Sequence, residues 1–73
     1  MKKLILHCHT TAGEVRYVPY ESISSFMPVG DRYTDIWLHN GFKLQVSISP
    51  QEMINSIDTV LKNSIHSVIV VNI

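Results

Sequence analysis

The sequence predicts an α+β domain: a small antiparallel β-meander of four to five strands, one amphipathic α-helix packed on one face, and a C-terminal strand. Three observations predict it. Residues 3–9 alternate in strand fashion. Two apolar runs flank His39-Asn40-Gly41 as a hairpin would. Ser49-Pro50-Gln51-Glu52 then opens an apolar pattern at helical spacing.

Taken in order, the first strand carries Leu4, Leu6 and Cys8 on one face and Ile5, His7 and His9 on the other. Thr10-Thr11-Ala12-Gly13 is a turn, and Glu14-Val15-Arg16-Tyr17-Val18 is its antiparallel partner. Pro19 cannot continue a central strand, so Pro19-Tyr20-Glu21-Ser22 makes a corner or one helical turn that drops Ile23 into the core. Residues Ser24–Val29 form a third strand, closed by the Gly30-Asp31 turn.

The second hairpin joins Thr34–Leu38 to Phe42–Ile48. Asn-Gly suggests a two-residue loop, but that register opposes Leu38 with Lys43 and Ile36 with Gln45, mixing the faces. A three-residue loop with Gly41 left-handed pairs Leu38 with Phe42 and Ile36 with Leu44. It gathers Trp37, Lys43 and Gln45 on the other face. A one-residue slip would move every side chain across the sheet, so the three-residue loop is expected.

Ser49 is the helix N-cap, Pro50 the first helical residue and Glu52 the residue that reaches back. Met53, Ile54, Ile57, Val60 and Leu61 form the apolar stripe, and Asn63 is expected as a left-handed stop. After Ser64, the run from Ile65 to Val71 is rich in β-branched residues and apolar on both faces from Val68 onward. Such a run marks a strand covered on both sides, either inside this sheet or crossing to a second copy.

Composition sets the scale. The 73 residues are expected to form a single domain spanning 1–73, and a chain of this size buries only roughly 60% of its unfolded surface. Its one cysteine excludes an internal disulfide framework. Six basic and six acidic residues give formal charge zero, which argues against a nucleic-acid partner. Charged residues make up 16% against 45% apolar, an unusually uncharged surface for a monomer. The early apolar run stops at His7, short of a secretory core, and nothing approaches the ~20 apolar residues of a membrane span. A cytoplasmic location, with Cys8 reduced, is the expectation.

The stretch Gly13–Val18, then Ile23 and Met27-Pro28-Val29-Gly30-Asp31, then Ile36–Gly41 and Val46–Glu52, resembles the FlbD-like small proteins. These are also called swarming-motility proteins, and similar short proteins are phage-encoded. The family's pattern is an apolar-polar-apolar strand ending in Asn-Gly, then a valine strand and a Glu-Ser-Pro-Glu-Glu helix start, and the resemblance covers roughly residues 4–61. It implies this fold and a non-enzymatic, bacterial or phage-like chain. Ile48 replaces the family's usual charged residue before the cap, and the strand over 65–73 is extra.

Chemistry-bearing residues are few. His7 and His9 share a strand face about 6.5–7 Å apart while Cys8 points the other way. One metal could take both histidines but not the cysteine, and would need His39, His66, Asp35 or another subunit's pair as well. The expectation is two surface histidines, no metal and no cofactor. No acid pair, phosphate loop or nucleophile–base spacing points to an enzyme. Tyr17, Tyr20, Tyr33, Trp37 and Phe42 could stack bases, but the plainer reading has Phe42 in the core and Trp37 over the far sheet face.

Association is where the residues lean. Ile5, Trp37 and Val18 are expected on a far sheet face that one helix cannot cover, which predicts a homodimer or larger oligomer. The function expected is a small non-enzymatic protein-interaction or regulatory module acting as a homo-oligomer. Arg32, Tyr33 and Trp37 are its candidate contact patch for a protein partner. The alternative is a binder of a small anionic ligand or nucleotide in an inter-subunit pocket, through Arg16, Arg32 and the histidines.

Overall fold

In the computed structural model, which describes residues 3–73, the alternation of the first strand becomes β1 (Lys3–His9). It turns into β2 (Val15–Pro19), and a single 3₁₀ turn over Tyr20–Ser22 leads into β3 (Ile23–Val29). The meander continues as β4 (Tyr33–Leu38) and β5 (Lys43–Val46), followed by α1 (Pro50–Asn63) and β6 (Val68–Asn72). The class is α+β as expected, but the strands form two three-stranded sheets, β2-β1-β6 and β3-β4-β5. The corner at Pro19 is where the chain leaves one sheet for the other.

The two sheets meet where Thr10 bridges Val46, beside a Thr11 N–H to Gln45 C=O bond of 2.9 Å. Leu6, Cys8, Val18, Ile69 and Val71 from the first sheet face Ile36 and Val46 from the second, and Met53 and Ile57 of α1 close the core. Val18 therefore belongs to the core, not to the far face with Ile5 and Trp37. It stands opposite Leu6, and cross-strand partners share a face. Ile5 and Trp37 lie on different sheets.

The second hairpin has the three-residue register. Leu38 N–H donates to Phe42 C=O at 2.9 Å, Ile36 stands opposite Leu44, and Gly41 has φ +90°. Its end overhangs the core, however. Phe42 shares the inward face of Leu44 but is 69% exposed, in the wall of an open groove rather than in the core.

Helix α1 is capped by Ser49, whose hydroxyl accepts from Glu52 N–H at 3.2 Å. Met53 and Ile57 are buried, Val60 and Leu61 pack partly buried against the core, and Ile54 faces outward. Asn63 is not a left-handed stop, since none of the described non-glycine residues has positive φ. Its side chain instead donates to Thr59 C=O at 2.8 Å, and the chain leaves in extended form at Ser64.

The last strand is shorter than its sequence suggested: Ile65 is 94% exposed in the connection. From Val68 on, β6 runs parallel to β1, Ile69 opposite Leu4 and Val71 opposite Leu6. Coverage on both faces does not hold. Ile69 and Val71 are buried, while Val68 and Val70 on the opposite face are 54% and 51% exposed. Among the described residues no helix is long and apolar enough to cross a membrane.

Candidate functional site

Two three-stranded sheets leave four strand edges, and an edge invites pairing unless something blunts it. The β2 edge carries Arg16 and ends in Pro19. The β3 edge contains Pro28 and a register shift between Ile23 and Ser25. The β5 edge is four residues long, begins at Lys43 and is partly taken by Thr10 and Thr11. The β6 edge, Val-Ile-Val-Val-Asn, has no charge, proline or bulge.

The ladder shows which β6 groups are free. Lys3 N–H donates to Ser67 C=O at 2.7 Å, His9 N–H to Ile73 C=O at 3.0 Å, and Ile73 N–H to His7 C=O at 2.9 Å. Alternate residues of a parallel strand turn to one neighbour, so Val68, Val70 and Asn72 direct their main-chain groups away from β1. A shallow depression lined by Asn55, Ser56, Thr59 and Val60 of α1 runs beside Val70 and Asn72. The helix wall along this edge is thus uncharged too.

The outer face of the same sheet carries the histidines. His7 sits between Tyr17 of β2 and Asn72 of β6, its direct neighbours across the sheet. Its ring stacks on Tyr17, with centres 4.7 Å apart and planes at 19°, and its Nδ1 meets Asn72 Oδ1. His9 meets His7 edge-on at 4.6 Å. His39 and His66 do not join them: among the described residues no three His, Cys, Asp or Glu side chains converge on one point. Cys8 lies fully buried in the core, where burial pushes its thiol up to about 11. It is a poor nucleophile there.

On the second sheet, β4 aligns Tyr33, Asp35 and Trp37 on its outer face. Tyr33 is 40% exposed, Trp37 is half-buried with Lys43 Nζ 5.5 Å from its ring centre, and Arg32 is exposed in the preceding turn. Asp35 is buried between them, accepting from Gln45 Nε2 at 3.1 Å and facing Lys43 Nζ at 3.8 Å. Gln45 in turn accepts from Thr11 Oγ1 at 3.1 Å. The sequence offered Asp35 only as a candidate further ligand for the histidines; it lies on the other sheet, and its partners stand opposite or beside it in the three-residue-loop register.

A groove of about 710 Å³ opens between β2 and the end of the second hairpin, with Arg16, Val18, Glu21, Leu38, Phe42 and Leu44 among its walls. Arg16 is engaged by Glu14 at 3.1 Å, and Arg32 does not line the groove. The two arginines are not brought together there. Against family models, curated proteins and solved structures, the chain finds no match.

Proposed function

We propose that this chain is a small non-enzymatic interaction module that acts as a homo-oligomer, with β6 as its self-pairing edge. The observation that carries this is the contrast among the four edges: among the described residues three are blunted, and β6 alone is uncharged, regular and open. Two β6 strands meeting antiparallel across a two-fold axis would join their sheets into one of six strands. Formal charge zero imposes no net repulsion on that contact. The resemblance to FlbD-like proteins supports the same kind of role, a bacterial or phage-like chain that works by binding. The face holding Tyr33 and Trp37, with Arg32 beside it, is then the surface offered to a protein partner, because aromatic and arginine side chains anchor such contacts. The small-anion alternative is less well supported, since the accessible arginine of the groove already has a carboxylate partner.

Hydrogen exchange at single amides tests the edge. The N–H groups of Val68, Val70 and Asn72 should be protected in concentrated solution and lose protection on dilution, while Ile69 and Val71 stay protected throughout. Fast exchange of those three amides at every concentration would overturn the proposal.

A further inference from the structure

The groove beside β2 combines unpaired main-chain groups with apolar walls. Thr10 N–H donates to Glu14 C=O, which sets the alternation along the β1–β2 ladder. Arg16 and Val18 therefore bond to Cys8 and Leu6, while Val15 and Tyr17 turn their N–H and C=O groups away from β1. No other main-chain group among the described residues meets them. Arg16 and Val18 share the inward face of their partners Cys8 and Leu6, and both line the groove. Its walls also include Leu38, Phe42 and Leu44 of the second hairpin, with Phe42 69% exposed. A strand added at β2 would lie about 4.8 Å from it and present alternate side chains to this apolar surface.

We propose that this groove takes a short extended peptide of a partner protein as a fourth strand on the first sheet, with an apolar side chain seated against Val18, Leu38, Phe42 and Leu44 and a basic one facing Glu21. The length of the open edge argues for a peptide over a second copy. Pro19 has no N–H and ends β2, and Glu14 C=O is already taken, so Val15 and Tyr17 alone are open to pairing. That blunts the edge against a long strand and leaves room for a short one. Charge selects the basic residue. Glu14 is met by Arg16 at 3.1 Å, and Lys43 faces Asp35 at 3.8 Å. Glu21, exposed in the 3₁₀ turn after β2, lines the groove and has no ion pair among the described residues. The main chain supplies affinity and the alternate side chains supply selection. The site is independent of β6, since one chain carries the whole groove.

The test uses the full chain and a set of blocked peptides that alternate Thr with Val, Leu or Phe and carry a Lys at one end or the other. Affinity is read by fluorescence polarisation, and hydrogen exchange follows the Val15 and Tyr17 amides. Members of the set should bind and protect both amides. Methylating the alternate peptide nitrogens that face β2 should abolish binding, whereas methylating the others should not. Phe42→Ser should weaken binding at least about 10-fold. Glu21→Lys should weaken it about 3-fold and make the corresponding peptides with Glu for Lys the better binders. Phe42 and Glu21 are exposed, so circular dichroism should show both variants folded. No binding by any member at millimolar concentration, equal binding by Phe42→Ser, or tolerance of methylation at every position would overturn the proposal. Amides of Val15 and Tyr17 that are protected without peptide and exposed on dilution would give the groove to a second copy and overturn it too. An unchanged ranking in Glu21→Lys would overturn the role given to Glu21.

Discussion

Thr34, fully buried in β4, donates its hydroxyl to the main-chain carbonyl of Ile48, 2.7 Å away. The contact ties the central strand of the second sheet to the residue just before the cap of α1. It holds the start of the helix against β4, two elements earlier in the chain. Thr34→Val keeps the shape and deletes the donor, leaving a part-buried carbonyl without its partner. The loss should be about 1–3 kcal/mol in urea denaturation. A change below about 0.5 kcal/mol would mean that water replaces the hydroxyl at no cost.

Phe42 separates two accounts of the hairpin. A core phenylalanine loses about 3–5 kcal/mol on truncation. Here the side chain is 69% exposed, so Phe42→Ser should stay within about 0.5 kcal/mol of wild type in the same denaturation. A core-sized loss would place Phe42 inside after all.

Cys8 gives the fold an alkaline limit. Its thiol is raised from the ordinary 9.0 to about 11 by burial, so between those values the folded chain holds a proton that the unfolded chain has released. Stability should therefore be unaffected by this group near neutral pH and fall as pH rises from about 9 to 11, by on the order of 3 kcal/mol. Cys8→Ala removes this slope if the denaturation midpoint is followed against pH. Alkylation of the native thiol at pH 8 should be slow and speed up only with denaturant.

Much of the fold is written locally, and the parts that are not have a common cause. Ser49, Pro50 and Glu52 announce the helix start because capping is settled within one turn. The face pattern of Ile36, Leu38 and Leu44 outweighs the Asn-Gly signal, and the structure has that register. The split into two sheets, the buried place of Val18 and the exposure of Phe42 depend on which sheet each strand joins. That is decided by contacts distant in the chain. The same holds for β6: alternating and uniformly apolar strands look alike in a run of valines and isoleucines, and only its place beside β1 leaves Val68 and Val70 outside. Of the candidate residues, Tyr33 and Trp37 share a face by strand period alone. The neighbours that orient His7 come from β2 and β6, 10 residues later in the chain for Tyr17 and 65 for Asn72, beyond any local pattern.

Self-association through β6 is the central claim, and the mass in solution tests it most directly. Light scattering at micromolar concentration should give at least twice the 8.3 kDa of one chain. Val70→Lys, which sets a charge on the half-exposed middle of that edge, should give a folded monomer. A wild-type mass of 8.3 kDa at those concentrations would contradict the claim.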